Sequence, residues 1–350
     1  MTATTTLRAQ TYYPWFDWLR IALACIVMLT HAGLMAWHHA GNFAVQVFFA
    51  LSGWLIGGVL LSTKSKDIPR FYFNRALRIW VPYFIGLLLI IAASLLHDAI
   101  THKWFEFIFY KFTFVYNLFG TQQLAQYTQL MPLQGTGNHF WSVNAEEQFY
   151  LLAPLLLVFA PSRFGHHVYT WLLIALLAWL SQYYASIVFG VTAAIIVKQY
   201  GAIHLSKFAK LIFIGVVASS FYGFMLQLNY MLIAPFCAIA IVMLLAIQGQ
   251  QTPIGKFVGG MSYPLYLNQW VGVFVINAIY KHFNLQEPIS KHLLIIALSL
   301  LVAAALYWWV DRRILVLRPS LYTPTRAKLV TKYAYASLVL GICVGFYLQN

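Results

Sequence analysis

The feature that most limits what this chain can fold into is a succession of apolar windows. They fall near residues 16–38, 43–62, 78–96, 147–160, 168–181, 183–198, 211–227, 229–247, 263–280, 293–310 and 333–348. Most approach the roughly 20 helical residues that cross about 30 Å of hydrocarbon. They predict an all-α fold, a polytopic transmembrane helical bundle of ten to eleven spans. The pair flanking Ser181 is short enough to be one broken element instead. Composition points the same way, since 61% of the 350 residues are hydrophobic, 9% are charged and mean hydropathy is +0.73. With 12 Trp, 22 Tyr and 27 Phe, a soluble fold would expose apolar area far beyond the few hundred Å² usual for monomers. Residues 1–350 therefore read as a single membrane domain.

Charge sets the direction of threading. With the N-terminus inside, Lys103, Lys111, Lys281 and Lys291 alone fall on outer segments, which leaves 18 of the 22 Lys and Arg inside. That asymmetry is the one cytoplasmic loops carry. The basic excess over 8 Asp and Glu is thus mostly topology. It is not gathered on one face, so nucleic acid is not an expected partner. MTATTTLRAQTYYPWFDW lacks a short apolar region ending at a small-residue cleavage site, so a removable signal peptide is not expected. Cys25, Cys237 and Cys343 sit in apolar stretches and read as small buried hydrophobes. No tetrahedral metal-ligand set emerges from the histidines.

One connection stands apart. Residues 97–146 are too long for a plain loop and too aromatic for disorder, so they read as an ordered cap on the outer face.

Ionisable residues inside apolar windows carry the chemistry, because a charge at mid-bilayer costs a few kcal/mol unless it faces a cavity or partner. Arg20 and His31 are eleven residues apart, almost three turns and about 16 Å of rise, on one helix face. Alone, Arg20 could be a snorkelling topology anchor and His31 a packing histidine. In FYFNRALRIWVPYF (71–84), Arg75 and Arg78 lie one turn apart at the inner start of a span, where both guanidinium groups can grip one phosphate. The plainer reading is a positive-inside anchor. In GNHFWSVNAEEQFYL (137–151), Glu146 and Glu147 point about 100° apart. One could favour a helix N-terminus while the other orients a buried imidazole. Glu147 is the one expected to reach His31. Trp104 and Trp141 present aromatic faces suited to a sugar ring. Asn268 and Gln269 lie in a span as helix-gluing amides or as site residues, and GWLIG (53–57) reads as helix packing.

In order along the chain, FDWLRIALACIVMLTHA, VQVFFALSGWLIG, the RxxR of FYFNRALRIWVPYF, WSVNAEEQFYLLAPLLL and MSYPLYLNQW resemble the acyltransferase-3 family of integral membrane O-acyltransferases. The likeness covers nearly the whole chain. It implies an acyl-CoA donor, usually acetyl-CoA, entering from the cytoplasm, and an acceptor hydroxyl on a cell-envelope glycan or saccharide. It also implies a bacterial cytoplasmic (inner) membrane, with no permanently bound cofactor. By that likeness His31 is catalytic, with Arg20, Arg75 and Arg78 in the donor site. The residues agree, since guanidinium groups suit coenzyme A phosphates and an imidazole suits a general base. Glu146 and Glu147 join the catalytic set, Trp141 and Asn268 the substrate site, and Arg20, Asn268 or a backbone group could stabilise an oxyanion. The sequence leaves open direct transfer or an acyl-histidine, the acceptor, and self-association. It departs from the family at Asn144 and at Gln269, where relatives often have a His. The family core has ten spans, so the window at 333–348 would be an extra C-terminal one. The rival reading is a proton- or anion-coupled transporter using Arg20, His31 and Glu147, but neither inverted repeats nor paired interrupted helices are found.

Overall fold

The computed structural model describes residues 12–349, and among these every regular element is helical. The chain runs through α1 (Pro14–His31), α2 (Ala40–Leu60) and α3 (Ile68–His97), then the cap elements α4 (His102–Phe112), α5 (Tyr116–Phe119) and α6 (Leu124–Tyr127). After the cap come α7 (Phe140–Pro154), the short α8 (Ser162–Gly165), α9 (Val168–Leu180), α10 (Ala185–Tyr200), α11 (Lys207–Met225) and α12 (Tyr230–Leu245). The last set is α13 (Pro253–His282), α14 (Pro288–Leu306), α15 (Arg312–Leu321) and α16 (Pro324–Gln349). Every apolar window overlaps one of these helices, though several run past its ends. Five stretches are long and apolar enough to cross a membrane by length and composition: Ala40–Leu60, Ser65–His97, Lys207–Met225, Pro288–Leu321 and Pro324–Gln349.

The segments flanking Ser181 are two helices folded back on each other rather than one bent element. Gln182 and Tyr184 take left-handed backbone between them, and Thr192 Oγ1 of α10 reaches the Trp171 carbonyl of α9 at 3.3 Å. α1 ends at His31, earlier than the window suggested. Gly33 adopts φ +74°, its N–H meets Thr30 O at 3.1 Å, and the Leu34 N–H meets Leu29 O at 2.9 Å. That is the Schellman closure, which glycine adopts without a Cβ penalty.

α2 runs through the middle of the packing against α10, α1 and α12. A methyl group at Gly53 would lie 2.0 Å from the Ile187 carbonyl oxygen, and one at Gly190 would lie 2.2 Å from that of Ala50. The two backbones therefore touch, as small residues permit in lipid-embedded helices. GWLIG is a packing motif.

The connection 97–139 folds into a cap tied from below. The Asp98 carboxylate accepts from Ser94 Oγ at 2.5 Å, His97 Nδ1 at 2.8 Å and the Leu133 N–H at 2.6 Å. Burial pushes its pKa up, but those hydrogen bonds outweigh it and hold the group below its ordinary value. Asn144 of α7 accepts from the Tyr116 N–H at 3.0 Å and donates to the Tyr83 hydroxyl at 2.9 Å, which donates to Lys111 O at 2.9 Å. The buried amide thus pins the cap to α3 and α7. α16 lies along the other side, with Gly341 close to Thr113 and Gly345 close to the Phe119 ring. The Tyr335 hydroxyl meets Tyr72 Oη at 2.6 Å and Leu151 O at 2.8 Å.

Candidate active site

Near the start of α1, Arg20 Nη1 pairs with Asp17 Oδ1 at 3.2 Å, one turn away on the same helix. Asp17 is buried and also accepts from the Tyr12 hydroxyl. The glycines of FVGGMSYPLYLNQW make room for this pair, since a methyl at Gly259 of α13 would sit 2.6 Å from the Asp17 carboxyl. Arg75 and Arg78 of α3 lie close enough to Arg20 for the three guanidinium groups to feel one another's charge. Arg75 rests 4.5 Å over the Tyr150 ring, a cation–π contact. Neither Arg75 nor Arg78 comes within 4.0 Å of a carboxylate among the described residues. The Arg75 Nε is buried without a hydrogen-bond partner. Arg78 is solvent-accessible.

Glu146 and Glu147 sit at this same end. Glu146 accepts from Ser52 Oγ of α2 at 2.6 Å and Tyr150 Oη at 3.2 Å, whereas Glu147 accepts from Trp80 Nε1 of α3 at 2.7 Å. Their 100° divergence on α7 sends them to different neighbours, and both feel the Arg75 charge. The expectation that Glu147 reaches His31 is corrected. The α7-side residue beside His31 is His139, with ring centroids 5.6 Å apart. Glu147 lies eight residues, about 12 Å of helix, further along.

His31 is the last residue of α1, and its ring is accessible. Its Nδ1 lies 2.6 Å from the side-chain amide of Gln269 on α13. His139 is buried, with Nε2 3.2 Å from Leu267 O and its ring against Tyr266. The Tyr266 hydroxyl donates to His139 O at 2.9 Å. Sequence reasoning did not single out His139 and treated Gln269 as a departure. Their signal was present in the runs GNHFWS and YLNQW, but only the fold joins them to a residue more than a hundred positions away.

Asn268, adjacent to Gln269 on α13, turns toward α3. Its Nδ2 returns to Pro264 O at 3.2 Å, and its Oδ1 is buried without a partner beside Gly86. It lines a narrow cleft with Pro82 and Asp311, away from the contact that Gln269 makes with His31. Trp104 is buried, with Nε1 donating to Ser94 Oγ at 2.7 Å. The expectation that it offers a face to a sugar is corrected, because the core takes that face. Trp141 stays half-buried, edge-on to Phe49 at 5.8 Å.

Helices built for lipid, carrying arginines at one end of α1 and an imidazole at the other, mark an integral membrane protein with a candidate site among its helices. The chain belongs to the acyltransferase family, whose domain model matches residues 13–308. It is similar to the peptidoglycan O-acetyltransferase OatA of Listeria monocytogenes, 30% identical over 161 residues, 44% of this chain and 26% of that protein. It is similar also to the O-acetyltransferase OatA of Staphylococcus aureus, 30% identical over 168 residues, again 44% and 26%. The chain thus spans about a quarter of the length of these relatives. No solved structure matches it.

Proposed function

We propose that this protein is an O-acyltransferase that moves an acetyl group from cytoplasmic acetyl-CoA to a hydroxyl of a cell-envelope glycan. In this reading ten or eleven helices cross the inner membrane and the N-terminus is cytoplasmic. The observation that carries it is the pair Arg75 and Arg78, whose guanidinium groups make no hydrogen bond to protein among the described residues. An arginine fork has five N–H donors, and donors left without protein partners suit an anion with several oxygens, which the phosphates of coenzyme A provide. Arg20, already paired with Asp17, supplies field more than donors.

At the far end of α1, His31 takes the proton of the acceptor hydroxyl. The acceptor oxygen bonds to the acyl carbon, the carbon–sulfur bond breaks, and the thiolate leaves to be protonated as coenzyme A. The family and the relatives' printed activity favour glycan O-acetylation, and peptidoglycan fragments are the first acceptors to test. The cap above His31 supports an acceptor met on the outer side.

The test is transfer of labelled acetyl from acetyl-CoA to muropeptides by purified protein in nanodiscs, with coenzyme A binding measured separately. Wild type should bind and transfer. His31→Ala should bind but transfer at less than about 1% of wild type, the size of effect expected when a general base and its orientation are lost together. Arg75→Ala and Arg78→Ala should raise KM for acetyl-CoA by roughly tenfold or more with a smaller change in kcat, because remote phosphate contacts give uniform binding. Wild-type protein that neither binds coenzyme A nor hydrolyses acetyl-CoA would overturn the reading.

A further inference from the structure

The contact between Gln269 and His31 joins the only polar side chain bonded to that imidazole among the described residues. The Gln269 side chain is 1% exposed, and its backbone carbonyl accepts from Ser299 Oγ of α14 at 3.0 Å. One helical turn on, Gly272 fits against Ser299 and the Ile295 carbonyl with no room for a methyl group. The amide is therefore held on a backbone that cannot shift. The other titratable neighbour, His139, directs its Nε2 to Leu267 O instead. No Asp, Glu, Lys or Arg among the described residues forms an ion pair with His31.

The atom that faces Nδ1 in the structure is Nε2, with Oε1 buried and without a partner, but the two ends of a carboxamide have nearly the same shape, so heavy atoms alone do not say which one faces the ring. The chemistry of a proton-accepting histidine does. When the ring is neutral, an amide N–H pointing at Nδ1 would bond to a lone pair there and leave the proton on Nε2, where no base remains. Once the ring is protonated, both nitrogens carry hydrogen, and that same amide N–H would face an N–H. A carbonyl at this place accepts from Nδ1–H in both states. It leaves the Nε2 lone pair free in the first state and bonds to the imidazolium in the second.

We infer that Gln269 is a positioning residue that presents its carbonyl to His31 Nδ1–H, selecting the tautomer in which Nε2 is the working base. The inference deepens the acyl-transfer reading and rests on it, but the tautomer is measurable without any turnover. In ¹⁵N-histidine-labelled protein, with the His31 signals assigned by difference against His31→Ala, the neutral ring should show the proton on Nδ1. In Gln269→Met, which keeps length and loses the amide, that preference should disappear, with kcat down by roughly tenfold to a hundredfold and KM for acetyl-CoA within about twofold of wild type. Gln269→Glu should recover much of kcat, because its carboxylate also accepts from Nδ1–H. The charge favours imidazolium, so the acid limb of the pH–rate profile should move up by about a pH unit or more. A neutral His31 carrying its proton on Nε2 in wild type overturns the inference whether or not the protein transfers acetyl. So does a Gln269→Met variant with wild-type kcat and pH profile in an assay where His31→Ala is dead. In that second case the acyl-transfer reading survives.

Discussion

At the scale of single residues, what decides a side chain's role is which partner it has been given. Lys111 illustrates the cost of having none. It is 0% exposed, its Nζ lacks a hydrogen-bond partner, and its nearest compensation is the Tyr116 ring 4.3 Å away. Burial in the cap pushes its pKa down from 10.5 to about 7. The unfolded chain therefore binds more protons than the folded one across that interval, and the cap gains stability as pH rises from about 7 towards 10.5. Lys111→Met should flatten this dependence and raise the melting temperature most at about pH 6, where the wild-type charge is fully desolvated. Thermal unfolding of both proteins at about pH 6 and about pH 9 checks it, and parallel curves would count against it. The candidate residues Arg20, Arg75, Arg78 and His31 stood out in the sequence, because ionisable side chains are conspicuous against an apolar background. The link from His31 to Gln269 was not, since no local pattern encodes a contact across 238 positions. Glu147 was assigned the wrong neighbour for a related reason. Helix periodicity gives the angle between adjacent residues, but not which end of a helix a packed neighbour meets.

At the scale of elements, the apolar windows located every long helix, and their edges were the weaker part. α1 was read to residue 38 because Leu34 and Trp37 continue the apolar run, while the Gly33 stop after His31 passed unweighed. That stop matters, since it leaves the imidazole at a helix end where the ring is accessible. The α2–α10 crossing shows the opposite case, a motif whose plain reading held. Gly53→Ala and Gly190→Ala should each force the two backbones apart, costing about 1–3 kcal/mol as overpacking and lowering the yield of folded protein. Gly58→Ala on the same helix has no atom within 4 Å of the added methyl and should be silent. Comparing the elution profile and melting temperature of the three variants tests the assignment. A Gly53→Ala protein as stable as Gly58→Ala would remove the backbone contact as a determinant of the crossing.

At the scale of the whole molecule, α16 lies beyond the part matched by the family, which ends at residue 308. It straps the cap through Gly341 and Gly345, and holds α3 and α7 through Tyr335. A chain stopped before Pro324 should keep its arginine cluster and bind coenzyme A within about threefold of wild type, while losing transfer to glycan by tenfold or more, as uniform binding and acceptor positioning separate. Titration calorimetry alongside the muropeptide assay distinguishes the two, and equal loss of both would make α16 a support for the whole bundle instead. The rigidity of α1 has a further consequence for which donors can react. From Arg20 to His31 the helix is a rod about 16 Å long, so a molecule gripped by its phosphate at one end must carry its acyl carbon that far to meet the imidazole. The extended arm of coenzyme A has such reach. Acetyl phosphate, with its acyl group one oxygen away from phosphorus, does not, and it should compete for the arginines without ever being consumed: the protein discriminates among activated acetyl compounds by length before it does so by reactivity.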